Sequence, residues 1–388
     1  MLDQSFAGRR KVASVFGTRP EAIKMLPVLR ELESRPHLFT TCNIITSQHT
    51  DLLDPLLEYF GIEPDYRLGV LREGQSLDQL LGRLLIKLDE VLDQIRPDIV
   101  LVQGDTTSAL AGALSAHHRQ IPTIHVEAGL RSGNRYSPFP EELNRRLVTQ
   151  LASHHMAATS LNVENLLREG VPQESIVLTG NPVVDALQWV RGSTKPSQSM
   201  RDLLASIEGR RLLVLTSHRR ESFGPMMRGN LAALGDFVNR HDDLVLVFPV
   251  HPNPSVRAEA LRTLKATERV KLLDPLLYPD FVHLLSAAWL IVSDSGGIQE
   301  EAPTLGKALL VLRENTERPE VIACGCGRLV GGDPLKLARI LEEVYHDEAW
   351  LRHVAQMDNP FGRGDAAPRI VDALANILHG STAQSSLE

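Results

Sequence analysis

Three carboxylates in this chain, Asp105, Glu127 and Glu141, have the residue type and the setting for taking and returning a proton. Each has a competing structural use. Asp105, in Gly104-Asp-Thr-Thr-Ser108, also fits a helix cap through the N–H groups of Thr107 or Ser108. Glu141 opens a helical stretch four residues before Arg145, the spacing of a surface ion pair. Glu127 is harder to explain as structure, because it follows the apolar run Thr123-Ile-His-Val126 directly and precedes a small-residue turn. Arg19 and Lys24, in Gly17-Thr-Arg-Pro-Glu-Ala-Ile-Lys24, are the cations best placed for a diphosphate, since a guanidinium binds phosphate oxygens in a forked geometry. His218 follows another strand-like run and suits a hydrogen bond to a leaving phosphate oxygen, or packing against nearby backbone. Arg318, in Thr316-Glu-Arg-Pro-Glu320, either reaches the same ligand or lies in solvent.

An anion site is written most plainly in Ile291-Val-Ser-Asp-Ser-Gly-Gly-Ile-Gln-Glu-Glu-Ala-Pro-Thr-Leu-Gly306, a buried strand that stops at a glycine pair and restarts as a helix. Gly296 and Gly297 allow close approach to the backbone, and the free N–H groups of the helix start favour phosphate. Ser295 adds a hydroxyl. Glu300 and Glu301 suit sugar hydroxyls, and successive helix positions sit about 100° apart, so at most one of them is expected to face the ligand.

These residues need parallel sheets behind them. Short β-branched runs alternate with amphipathic stretches from end to end, which predicts an α/β protein in which strand-end residues share one edge of each sheet. Strands are expected near Lys11–Phe16, Cys42–Thr46, Asp98–Gln103, Pro122–Val126, His154–Ala158 and Ile176–Thr179, then near Arg211–Thr216, Leu244–Val250, Val270–Leu273, Leu290–Ser293 and Ala308–Leu312. Helices are expected over Pro20–Glu33, Ser76–Ile95 and Thr107–His118. The polar stretch Arg191-Gly-Ser-Thr-Lys-Pro-Ser-Gln-Ser199 reads as a linker. It separates a first domain, residues 1–190, from a second, 200–360, with a last helix at about 365–379 packing back on the first.

The 388 residues suit two domains, and 43% hydrophobic with 23% charged content is globular. A formal charge of −7 argues against a broad nucleic-acid surface. No apolar run of about 18 residues or signal-like start appears, so a cytoplasmic protein without membrane contact is expected. Cys324-Gly-Cys326 is too tight for zinc, and His117/His118 and His154/His155 are sequence neighbours that point differently, so no metal site is expected. The dinucleotide fingerprint, the P-loop, the Gly-x-Ser-x-Gly elbow and the His-Glu-x-x-His pair are all missing from the sequence.

Phe16-Gly-Thr-Arg-Pro-Glu-Ala-Ile-Lys-Met25, Gly104-Asp-Thr-Thr, His125-Val-Glu-Ala-Gly-Leu-Arg131, Pro140-Glu-Glu-Leu-Asn-Arg145, Ser217-His-Arg-Arg-Glu-Ser-Phe-Gly224, Asp294-Ser-Gly-Gly-Ile-Gln-Glu-Glu-Ala-Pro303 and Thr316-Glu-Arg-Pro-Glu320 together closely resemble the non-hydrolysing UDP-N-acetylglucosamine 2-epimerases. The resemblance runs from about Lys11 to Leu378. It implies a GT-B fold of two Rossmann-like domains facing across a cleft, a homodimer, and interconversion of UDP-GlcNAc and UDP-ManNAc without cofactor or metal. By motif it carries over Asp105, Glu127, Glu141 and His218 as catalytic. Arg19, Lys24, Arg145, Phe281, Ser295, Gly296, Gly297, Glu301 and Arg318 carry over as substrate-binding, with the nucleotide mainly on the second domain. Gln48, His49, Gln75, Arg219 and Arg220 match regions that form a second, activating UDP-GlcNAc site in some members. A 2-epimerase of a modified sugar nucleotide (2,3-diacetamido uronic acid type), a GT-B glycosyltransferase and a binding-only sensor are the alternative readings.

Overall fold

The computed structural model describes residues 8–46, 50–72, 74–217, 224–251, 253–264 and 268–380. Two compact units emerge, one running through Ala186 and resuming at Phe361, the other Leu187–Pro360.

In the first unit, strands β1 (Arg10–Phe16), β2 (Phe39–Ile45), β3 (Tyr66–Arg67), β4 (Ile99–Gln103), β5 (Thr123–Ala128), β6 (His154–Ala157) and β7 (Ile176–Leu178) form one sheet in the order β3-β2-β1-β4-β5-β6-β7. Its paired strands all run parallel. The central runs Ile99-Val-Leu-Val102 and Val12-Ala-Ser-Val-Phe16 are fully buried, as expected of strands covered by helices on both faces. Over β1 and β4 lies the helix Thr107–His118, whose alanines and Gly112 permit close packing. A Cβ at Gly112 would stand 2.9 Å from Val102 Cγ1. The helix Ala366–Gly380 returns to this unit and packs on Arg19–Glu33, with Arg35 Nη1 paired to Asp372 at 2.6 Å.

The second unit repeats the plan. Strands β8 (Arg211–Thr216), β9 (Leu244–Pro249), β10 (Val270–Leu273), β11 (Leu290–Ser293), β12 (Leu309–Val311) and β13 (Gly327–Leu329) are ordered β10-β9-β8-β11-β12-β13, again parallel. In each sheet the order reverses beside its first strand, between β1 and β4 and between β8 and β11. The carboxyl ends at such a point open a crevice for ligands.

Two edge strands, β3 and β13, were not expected from sequence. The first has only two residues, and the second begins at a glycine with no β-branched run. The expected linker is corrected too. Arg191, Gly192 and Ser193 complete the helix Pro182–Ser193, and Ser197 caps the next, Gln198–Ser206. Between them Thr194 Oγ1 donates to the Val190 carbonyl at 2.7 Å, while Ser197 N–H and Oγ bond Asp280 at 2.8 and 2.6 Å. The small polar residues there satisfy helix ends rather than form a free tether.

Candidate active site

At the first switch point, Gly17 is required by crowding. A Cβ there would stand 1.7 Å from Thr46 Oγ1, which is itself hydrogen-bonded to Ser108 Oγ at 2.8 Å. Thr18 then caps the helix Arg19–Glu33 in a capping box with Glu21. The Glu21 carboxylate accepts from Gly17 N at 3.1 Å, Thr18 N at 2.7 Å and Thr106 Oγ1 at 2.7 Å, so it joins the loop after β1 to the loop after β4. This unit's first helix start is therefore already engaged by a carboxylate of its own. Arg19, the first helical residue, is half-buried.

One turn further on, Lys24 is buried and its Nζ pairs with Glu127 Oε1. Glu127 sits within β5, where the register to β6 shifts between Val126 and Ala128, and its φ is +65°. A bulge in left-handed backbone is unusual for a glutamate and turns its side chain away from the regular alternation. Gln103 Nε2 donates to its Oε2 at 2.5 Å and Asn181 Nδ2 to its Oε1 at 3.1 Å. Three donors, one cationic, hold a buried carboxylate in one orientation.

Asp105 lies in the turn after β4, one residue past Gly104. Thr106, not Asp105, caps the helix Thr107–His118, its Oγ1 accepting from Ala109 N at 3.1 Å. The Asp105 carboxylate instead pairs with Arg145 Nη2 at 2.6 Å, and its carbonyl accepts from Asn144 Nδ2 at 2.9 Å. Arg145 is buried and also reaches Glu142 Oε2 at 2.9 Å, whose same oxygen takes Ser132 N–H at 2.9 Å. The helix Glu141–Leu151 is thus hooked under the loop after β4, with half-buried Glu141 at its first position.

At the second switch point, Ser217 Oγ donates to Asp294 Oδ2 at 2.8 Å, and the helix Gly296–Thr304 begins after Ser295 without a side-chain cap bond. Its start remains available to an anion. A Cβ at Gly296 would lie 2.8 Å from Arg318 Nη1, so the guanidinium sits close against the helix start. Arg318 is buried, its Nε on Glu300 Oε1 at 2.5 Å and its Nη1 on Glu317 Oε1 at 2.7 Å, while Arg313 holds the other Glu317 oxygen at 2.7 Å. Arg318 is not solvated. Of the adjacent glutamates, Glu300 serves this network and Glu301 receives Tyr278 Oη at 3.3 Å. Phe281 is half-buried on the same helix as Tyr278, Tyr278–Ala287.

The family model described as UDP-N-acetylglucosamine 2-epimerase matches residues 30–375. The chain belongs to that family. The UDP-N-acetylglucosamine 2-epimerase of Escherichia coli strain K12 is 45% identical over 371 residues, 94% of this chain and 98% of its own. The crystal structure of the Neisseria meningitidis UDP-GlcNAc 2-epimerase bound to UDP-GlcNAc aligns with TM-score 0.89 at 39% identity, covering 94% of this chain and 99% of that one. The Methanocaldococcus jannaschii enzyme in complex with UDP-GlcNAc and UDP aligns with TM-score 0.82 at 34% identity over 94% and 99%. The two Rossmann-like units are those of the GT-B fold.

For this 2-epimerase family member the structure brings Lys24 to Glu127 and Arg145 to Asp105 in the first unit, and Gly296 to Arg318 in the second. Gln75 accepts from Arg83 Nη1 on the helix Leu77–Ile95. Gln48, His49, His218, Arg219 and Arg220 lie outside the described residues. Among the described residues no cluster of three or more metal-ligating side chains is arranged around a common point, and no helix is long and apolar enough to cross a membrane.

Glu21, Gln103, Glu142 and Asn181 escaped the sequence reading. Of these, only Glu21 had a local signal, as Thr18-x-x-Glu21 is a capping-box pattern. Burial pushes its carboxyl up from 4.5 to about 7, against the hydrogen bonds from Thr106, Thr18 and Gly17 that hold it down. The folded protein therefore binds this proton more tightly than the unfolded chain, a stabilisation complete below about pH 4.5 and lost as pH rises through about 7. Glu21→Gln keeps an oxygen for the two backbone donors without the charge. It is expected to gain about 2 kcal/mol over wild type above about pH 8 and nothing below about pH 4 in urea denaturation. A variant weaker than wild type at the alkaline end contradicts this. His125 and His155 pair across β5 and β6, and burial lowers their pKa to about 3 and about 4. They stay neutral near pH 7, His125 donating from Nε2 to the Gly104 carbonyl at 2.8 Å.

Proposed function

We propose that this chain interconverts UDP-N-acetylglucosamine and UDP-N-acetylmannosamine by inverting C2 of the sugar. The observation that carries the reading is Glu127: a buried carboxylate on a left-handed bulge, held by Lys24, Gln103 and Asn181, in a chain of the 2-epimerase family. Relatives named for that activity, across 94% of the chain, support it over glycosyl transfer or a modified sugar.

C2 carries no adjacent carbonyl, so its proton cannot leave through a simple enolate. Loss of the leaving group must drive the step. The C2–H electron pair becomes the C1–C2 π bond of 2-acetamidoglucal while the C1–O pair departs with UDP, and a carboxylate accepts the proton. Re-addition of UDP with protonation on the opposite face gives the epimer. C2 has the same oxidation level in both sugars, so no redox partner is needed. A carboxylate pair among Glu127, Asp105 and Glu141 removes and returns the proton, with Glu127 the central participant. Asp105 carries Arg145 as its counter-charge. The uncapped start of Gly296–Thr304, with Ser295, Gly297 and the nearby Arg318, stabilises the departing diphosphate, assisted by Arg19 and His218. Glu301 holds ribose hydroxyls, and Phe281 packs on the nucleotide. Lys24 has a double use here. Drawn from Glu127 toward phosphate, it leaves a more basic carboxylate behind. A homodimer working in the cytoplasm completes the reading, and sedimentation velocity at twice the 42.9 kDa chain mass is its check.

Incubation with UDP-GlcNAc, with products resolved by ion-exchange chromatography, tests the activity. UDP-ManNAc is the expected product. Free sugar and UDP alone, or no product from folded protein, contradict it.

A further inference from the structure

Segments distant in sequence meet at the Glu127 carboxylate, and one of them is the stretch by which the chain leaves the first unit. Asn181 lies shortly before the boundary at Ala186. Its Oδ1 accepts the Val183 N–H at 3.0 Å, which fixes the oxygen end of the amide and leaves Nδ2 as the end facing Glu127 Oε1 at 3.1 Å. Its own N–H donates to the carbonyl of Phe361 at 2.8 Å, where the chain re-enters the unit. Asp185 fastens the same junction, its carboxylate accepting Ala366 N at 3.2 Å and Ala367 N at 2.9 Å at the start of the returning helix. The outgoing and incoming segments are thereby tied to each other, and through one amide to the carboxylate.

We infer that Asn181 is a positioning residue for Glu127: it aims the carboxylate, lowers its proton affinity, and makes both properties depend on the two crossing segments. This rests on the acid–base role given to Glu127 above. A donor on a carboxylate stabilises the charged form, so removing it raises proton affinity, and replacing it with a second carboxylate raises it further. An amide that merely braced the turn at Val183 would not do this.

The test uses Asn181→Ala, Asn181→Asp and Asn181→Ser in the full chain, with wild type alongside. Serine retains an oxygen for the Val183 N–H but is too short to reach Glu127, so it keeps the turn while removing the donor. The expected result is a fall in kcat of roughly ten-fold for alanine and serine with KM nearly unchanged, the scale of one hydrogen bond to a charged group. The limb of the pH profile that reports Glu127 is expected to move to higher pH in the order wild type, alanine or serine, aspartate. Unchanged kcat in the serine variant overturns the inference, as does a lower kcat with unmoved limbs. Absence of turnover in wild type overturns the epimerase reading and this inference with it, whereas active wild type with unmoved limbs removes only the role of Asn181.

Discussion

Glu127→Gln is expected to lose turnover by roughly 10²–10⁴-fold, the range assigned to a positioned acid–base group, while its affinity for UDP stays close to wild type. The two halves of this expectation come from different parts of the molecule. Glu127 lies in the first unit, on β5, with Lys24 on one oxygen and Gln103 on the other. The helix start at Gly296, proposed to take the diphosphate, belongs to the second unit. Glutamine is nearly isosteric and keeps an oxygen for one of the donors, so the bulge at φ +65° and the buried packing have no cause to collapse. Its amide nitrogen nevertheless faces at least one donor. A stability loss of about 1–3 kcal/mol is therefore expected as well. Single-turnover kinetics with calorimetric UDP titration separate the effects. Turnover within about ten-fold of wild type would remove Glu127 from the proton-handling groups.

Arg318→Ala is expected to have the largest effect on stability. Arg318 is 7% exposed, and its guanidinium divides its bonds between Glu300, itself fully buried, and Glu317. Removing one member of a buried charged set leaves the others desolvated and costs about 3–5 kcal/mol. Arg313 still neutralises Glu317, and Glu300 loses the guanidinium on its Oε1. UDP affinity should fall at least about ten-fold, since Arg318 lies against Gly296 at the helix start. The double variant Arg318→Met with Glu300→Gln removes the guanidinium and the Glu300 charge together. It is expected to recover most of the stability but none of the affinity, measured by urea denaturation and UDP titration. Full recovery of both would assign Arg318 to the core alone, and a single-variant loss below about 1 kcal/mol would contradict the buried-pair account.

The alternating pattern was enough to place both sheets, because buried parallel strands are continuous apolar runs and the helices between them have caps written locally. Thr18-x-x-Glu21 and Ser76-x-x-Gln79 are examples. It failed where structure depends on what is far away. β3 and β13 are strands only because β2 and β12 offer them an edge. Arg191–Ser193 look like a linker by composition, yet they finish a helix already under way.

The site divides in the same manner. Glu127 was legible as a charge that a strand end had no structural reason to carry. The bulge that turns it was not, since no glycine or proline marks it. Its partners Gln103, Asn181 and Lys24 lie 24, 54 and 103 residues away, a grouping that exists only after the strand order is known. Arg145 was legible as a helix-face cation, but its partners are Asp105 across the loop and Glu142 one turn back. Glu300 and Glu301 could be told to face apart from helix geometry alone, and the structure supplies the different partner of each.

The central claim is reversible removal of the C2 proton. Proton NMR of the purified chain with UDP-GlcNAc in deuterated water follows that atom directly. The account predicts loss of the C2–H signal, with deuterium at C2 in both UDP-GlcNAc and UDP-ManNAc. Folded, UDP-binding protein that leaves the C2–H signal intact, or forms the epimer without taking up solvent deuterium, would contradict it.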